Sequence, residues 1–374
     1  MAKLDALFLP PEIVELVIDH IDDRGALRTC SLVSLQWVLR CRIHLFRSVT
    51  VQNVYSIHTL VELLESPFST LGGAIRHLSV ELTRALVSSL GPERAEYAAS
   101  YLTRLSNACA LESLQFFHHQ SGFSSNSEIL LSPWSCFESL QVLSIGAVKT
   151  SPDVFDFIAS FPKLRELEMD GAHWNHWVSK APCTPPKNLR VVRLSRCAAD
   201  AVLNWLLPEN LPPTCSSLTL GSISDSQLIT LPRALKRCGP VLEQLSLTLR
   251  LVNHNFVPPD LSQNTNIRYL RIEPDLYFEA LPHLLCTLTS TSLEQIELVM
   301  PGRAARLQSH DAARWAELDR HLLRSQFSLV SIKVQVHKAV DEDTIAEYLP
   351  LCCARGIVSF ISKPVLYLTR FFAI

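Results

Sequence analysis

Ten times along this chain apolar residues recur at positions i, i+3 and i+5. The segments are Ile75-x-x-Leu78-x-Val80, Leu111-x-x-Leu114-x-Phe116, Leu140-x-x-Leu143-x-Ile145, Leu164-x-x-Leu167-x-Met169 and Leu189-x-x-Val192-x-Leu194. They continue as Cys215-x-x-Leu218-x-Leu220, Leu242-x-x-Leu245-x-Leu247, Ile267-x-x-Leu270-x-Ile272, Leu293-x-x-Ile296-x-Leu298 and Leu329-x-x-Ile332-x-Val334. Successive starts lie 36, 29, 24, 25, 26, 27, 25, 26 and 36 residues apart. One such segment cannot bury its apolar face alone. Stacked copies share one continuous core and leave a ladder of parallel strands open to a partner. The spacing therefore points to recognition before any reactive residue is weighed.

The middle seven steps fall within the period of leucine-rich repeats, about 20–29 residues. The expected fold is α/β: a leucine-rich-repeat-like solenoid, a parallel strand ladder with convex helices, over residues 52–374. Strand alternation sends Leu164, Leu167 and Met169 inward and Glu166, Glu168 and Asp170 outward onto the concave face. The other outward rungs include Arg193, Thr219, Ser246, Tyr269, Arg271, Val299, Lys333 and Gln335. Helices are expected over Asp153–Ser160, Asp225–Arg237, Leu276–Thr287 and Asp343–Cys353, and a closing strand over Ile357–Ile361. Insertions are placed near 81–110, 118–135, 173–188 and 302–327. Only Cys197 sits where such repeats carry a turn-tying Asn or Cys, so irregular turns are expected.

Residues 1–51 follow a helical period instead. Leu9-Pro10-Pro11-Glu12 opens a helix, since Pro fits the first turn and Glu suits the positive end of the dipole. Ile13, Leu16, Val17 and then His20 or Ile21 make its apolar stripe. Two further short helices are predicted, from Ala26 to about Val33 and from Leu35 to about Phe46. About forty residues in three helices are too few to stand alone and lean on a partner or a neighbouring domain.

At these residues the chain resembles the F-box. The resemblance rests on Leu-Pro-x-Glu-Ile at 9–13, an apolar residue at 21, then Leu27, Ser31-Leu32-Val33 and Trp37, with 44–51 like the segment that closes many fungal members. Leu35 departs from the family, which often has a cysteine or basic residue there. The resemblance implies a substrate-recognition subunit of an SCF-type cullin–RING ubiquitin ligase. Leu9, Pro10, Ile13, Ile21, Leu27, Leu32, Val33 and Trp37 would bind a Skp-type adaptor, and the solenoid would hold a client protein. The alternative is a non-ligase leucine-rich-repeat interaction scaffold with a helical N-terminal cap.

Within the solenoid, charge and aromatic residues concentrate at Glu166, Glu168, Asp170, Trp174, Trp177, Arg193, Tyr269 and Arg271, the expected client-binding set; the 118–135 and 302–327 insertions are the other candidate surfaces. Net charge is 34 − 36 = −2, which gives no bulk attraction for nucleic acid or an anionic membrane. Eleven scattered cysteines suit free thiols in a reducing compartment, and no apolar run has signal-peptide character, so a cytoplasmic or nuclear protein is expected. His173, His176 and Cys183 do not complete a metal-ligand set, and Cys352-Cys353 lacks Cys-x-x-Cys spacing. No phosphate-binding glycine loop, nucleophile elbow or His-Glu-x-x-His stretch occurs. The expectation is no catalytic residue, no metal and no cofactor.

Overall fold

In the computed structural model, residues 10–67, 69, 71–81, 95–117, 132–146, 154–171, 183–197, 199–208, 211–223, 230–249, 259–274, 280–300, 312–324, 327–336 and 346–362 are described. The chain divides into two compact units, Met1–Leu164 and Arg165–Ile374.

In the first unit, three helices come first: α1 (Pro11–Asp19), α2 (Arg24–Val33) and α3 (Leu35–Phe46). Asp23 caps α2 by accepting from the Ala26 N–H at 2.6 Å, and Ser34 caps α3 by accepting from Gln36 at 3.3 Å. Four parallel strands follow in chain order: β1 (Ser48–Val51), β2 (His77–Glu81), β3 (Ser113–Phe117) and β4 (Val142–Gly146). Helices Val54–Glu65 and Ala95–Ala108 connect them. In the second unit eight more strands run parallel and in sequence: β5 (Glu166–Asp170), β6 (Val191–Ser195), β7 (Ser217–Ile223), β8 (Gln244–Leu249), β9 (Tyr269–Pro274), β10 (Gln295–Met300), β11 (Ser331–Val336) and β12 (Val358–Ser362). Between them lie helices Ala199–Leu206, Leu231–Cys238, Ala280–Cys286, Ala312–Leu322 and Pro350–Ala354. Both units thus have the arrangement that the repeat spacing requires. Residues 11–46 form three helices, as their helical period predicts.

The burial pattern follows the alternation. Of the thirty core positions in the ten repeats, all but Leu329 are buried. Strand β5 alternates half-buried and buried from Glu166 to Asp170, with Leu167 and Met169 inward. Two expected outward residues behave otherwise, since Val299 and Gln335 are buried. They are partners in register, and Gln335 is flanked on its other side by Ile361, so apolar neighbours cover it.

A backbone device repeats at the strand entrances. The carbonyl of the residue before a strand accepts two N–H groups from the next repeat: Arg47 from Arg76 and His77, Arg190 from Ser216 and Ser217, Glu243 from Arg268 and Tyr269. Each repeat thereby satisfies its neighbour's polar groups without a side chain, as buried backbone requires. Side chains assist in places. Buried Asn264 donates from Nδ2 to the carbonyls of Leu235 (2.9 Å) and Gly239 (3.1 Å) at the end of helix Leu231–Cys238. Asn264→Ala removes both bonds, leaving the Leu235 carbonyl only the Gly239 N–H and the Gly239 carbonyl only the Leu242 N–H, and should destabilise the protein by about 1–3 kcal/mol in denaturant titrations; a change under about 0.5 kcal/mol would refute the capping role.

The expected boundary after residue 51 needs correction. Strand β1 pairs with β2 in register, Val49 with Leu78 and Val51 with Val80, so 48–51 is the first rung of the ladder and not the end of the helical segment. The expected helix 302–327 is seen over Ala312–Leu322, with Trp315, Leu318 and Leu322 buried as its apolar face. The 118–131 part of one expected insertion lies outside the described residues.

Candidate functional site

Two surfaces concern function: the helical segment α1–α3 and the outward face of the second unit's strands.

The helical segment has a small core. Ile18, Leu27 and Cys41 are fully buried, with Val14, Ile21, Cys30, Trp37 and Leu45 packed against them. A polar clamp joins α1 to α3. The Arg40 guanidinium donates to both carboxylate oxygens of Asp19, and His44 Nε2 lies 2.8 Å from Asp19 Oδ1. Those two partners, Arg40 first, hold the Asp19 carboxyl well below the usual carboxylate range. A lowered folded-state value means that the clamp stabilises above the unfolded carboxylate pKa of about 3.9 and is lost as pH falls below it. Asp19→Asn should therefore lower the melting temperature at pH 7, with the gap to wild type closing below about pH 4. A gap that stays constant down to pH 3 would disprove the linkage.

The expected adaptor-binding residues divide between core and surface. Pro10, Ile13, Leu32 and Val33 are exposed; Ile21 and Trp37 are half-buried against the core; Leu9 lies outside the described residues. Leu27 is 3% exposed, so it serves the segment's own packing and offers a partner almost no surface, contrary to its expected role in contact. Five further apolar residues of the segment are exposed: Leu16 and Val17 on α1, and Leu35, Leu39 and Phe46 on α3. Helix α1 is thus apolar on both sides, with Val14 and Ile18 inward and Ile13, Leu16 and Val17 outward. Glu12, Glu15 and Asp19 keep one side of α1 polar, so its apolar arc is wider than the segment's own core covers.

On the strand face, the structure brings the expected residues into two groups, not one. Glu166, Glu168 and Asp170 on β5 lie beside Arg193 on β6; Tyr269 and Arg271 lie on β9, four strand steps or about 19 Å away. Trp174, Trp177, His173 and His176 fall outside the described residues. Arg193 is in register with Glu168 yet bonds Glu166, at 3.0 Å. Arg196 follows at a positive φ of 51° and donates to both oxygens of Asp170, 2.9 Å from Nε. Its left-handed backbone is uncommon for a non-glycine residue, and no sequence signal marked it. On β9–β10, Arg271 lies 3.3 Å from Glu297 and 3.7 Å from Glu273, while the Tyr269 hydroxyl donates to Glu297. Burial and that hydrogen bond push the Tyr269 phenol up to about 12. Such exposed pairs contribute about 0–1 kcal/mol each, so they order the surface more than they stabilise it.

Neither surface assembles reactive chemistry from the described side chains. No group of three potential metal ligands occurs among the described residues. Burial pushes the thiols of Cys109 and Cys238 up to about 11 and those of Cys197 and Cys215 up to about 12, values unsuited to a nucleophile. A cavity of about 550 Å³ between helices Ala199–Leu206 and Leu231–Cys238 is lined by Asn204, Thr230, Arg233, Lys236 and Arg237. Another of about 490 Å³, at the entrances of β8–β11, is walled by Glu243, Arg268 and Glu294. Among the described residues, no helix is long and apolar enough to cross a membrane. Neither the protein-family models nor the curated proteins contain a match to this chain.

Proposed function

We propose that this chain is the substrate-recognition subunit of an SCF-type cullin–RING ubiquitin ligase. Helices α1–α3 dock on a Skp-type adaptor, and the strand ladder holds the client protein. The subunit has no active site of its own and contributes proximity and orientation to chemistry done elsewhere in the complex. One observation carries the reading: Ile13, Leu16, Val17, Leu32, Val33, Leu35 and Leu39 stand exposed on a segment whose internal core is only three fully buried residues. Exposed apolar side chains in this density mark an interaction site, and they lie on the residues that resemble the F-box.

The alternative, a scaffold whose helices merely cap the ladder, would turn its apolar stripe toward β1. The outward stripe of α1 does not support that reading. The test is co-purification of the full chain with a recombinant Skp-type adaptor. Wild type should retain the adaptor; a wild-type chain that elutes alone sinks the proposal.

A further inference from the structure

We propose that the outward face from β5 to β11 holds an extended client segment laid across the strands, with a basic side chain over Glu168 and an acidic one over Lys333. This rests on the reading of the ladder as the client-binding surface.

The strand register defines one continuous row across this face: Glu168, Arg193, Thr219, Ser246, Arg271, Glu297 and Lys333, each in register with the next. Its inner charges are engaged with one another, with Arg271 shared between Glu297 and Glu273. Arg193 is held by Glu166, and Arg271 and Glu297 hold each other. At the centre, β7 and β8 present Ser217, Thr219 and Gly221 beside Gln244, Ser246 and Thr248, which carry no charge and little bulk. Ser217 donates to Gln244 at 3.2 Å, within the face. The ends differ. Among the described residues, neither Glu168 nor Lys333 forms a hydrogen bond or an ion pair, and both reach solvent.

The face therefore has an uncharged, hydroxyl-lined centre on β7 and β8, with Glu168 unpaired towards one end and Lys333 unpaired towards the other, among the described residues. The ends are six strand steps apart, about 29 Å at about 4.8 Å per step. An extended chain advances about 3.3 Å per residue, so about ten residues span it. Hydroxyls and amides at the centre of the face supply hydrogen bonds to the segment. The two end charges select the class of segment more than they set its affinity.

The test uses the full chain bound to its adaptor, over arrays of immobilised ten-residue peptides. The peptide ends are fixed as Lys/Asp, Lys/Lys, Asp/Asp or Ala/Ala, and the eight inner positions are varied among uncharged residues. The Lys/Asp class should be retained about three- to tenfold better than Ala/Ala, the range expected for two exposed charge pairs. Glu168→Lys should transfer the preference to Asp/Asp, and Lys333→Glu should transfer it to Lys/Lys. Retention equal to Ala/Ala, or a preference that neither reversal moves, overturns the proposal. So does a dimer in light scattering that either reversal makes monomeric, which would make a second copy of this chain the occupant. Adaptor capture, measured on the same variants, reports on α1–α3 alone, so failure of the peptide test leaves that reading untouched.

Discussion

Leu167→Asp should abolish cooperative folding of the second unit, while Glu168→Ala, one residue further on, should leave it within about 0.5 kcal/mol of wild type. Leu167 is fully buried in the middle of β5, between Leu164 and Met169 and in register with Val192. Replacing it removes the transfer free energy and packing of a core leucine, about 2–5 kcal/mol, and puts a carboxylate where no cation or hydrogen-bond donor awaits it. An uncompensated buried charge costs several kcal/mol more. Together these approach the whole stability of an ordinary domain, about 5–15 kcal/mol. Glu168 points the other way, and among the described residues it has no partner to lose. Thermal melts followed by circular dichroism, with limited proteolysis, separate the two. Equal melting temperatures for both variants would refute the alternation on which the outward row depends.

That alternation was legible because the inward positions of the repeats admit only apolar side chains: a polar residue there would be desolvated in every rung. The first rung was missed although it obeys the same spacing, as Phe46-x-x-Val49-x-Val51. Phe46 closes α3, so one residue serves the end of a helix and the entry to a strand, and the helical pattern masked the strand pattern. The last rung is weaker still. The register sets Val358 and Phe360 opposite Ile332 and Val334, which puts Arg355 at the apolar lead position. Terminal repeats have a neighbour on one side only, so their constraint is halved.

Which ion pairs form on the open face was not legible. Glu166, Glu168 and Asp170 all lie within reach of β6, and composition does not decide whether Arg193 turns to Glu166 or Glu168. Rotamer geometry decides, and it gives Arg193 to Glu166 and Arg196 to Asp170. For the helical segment, the periodicity identified apolar residues but not which of them face inward. With eight exposed and three fully buried, the apolar set is larger than one small core can take. Leu27 and Leu32 look alike in the sequence, yet one is core and the other surface.

Leu32→Asp combined with Leu35→Asp should eliminate adaptor binding while leaving the isolated chain folded. Leu32 is 87% exposed and Leu35 92%, on either side of the Ser34 cap between α2 and α3. Aspartate at such positions stays hydrated, so the melting temperature should barely move. A docked partner that covers both leucines gains about 1.5–3 kcal/mol from each. Removing both would weaken binding at least a hundredfold, at about 1.4 kcal/mol per tenfold, before the cost of burying two carboxylates. Leu27→Ala is the contrasting variant. It opens a cavity in the segment's core and should lower stability by about 2–5 kcal/mol. Its loss of adaptor would accompany loss of structure, seen as earlier proteolysis of residues 11–46. The double aspartate variant should lose the adaptor with proteolysis unchanged. If that folded variant still captures the adaptor at wild-type affinity, the exposed leucines are not the docking surface, and the proposed role of α1–α3 falls with them.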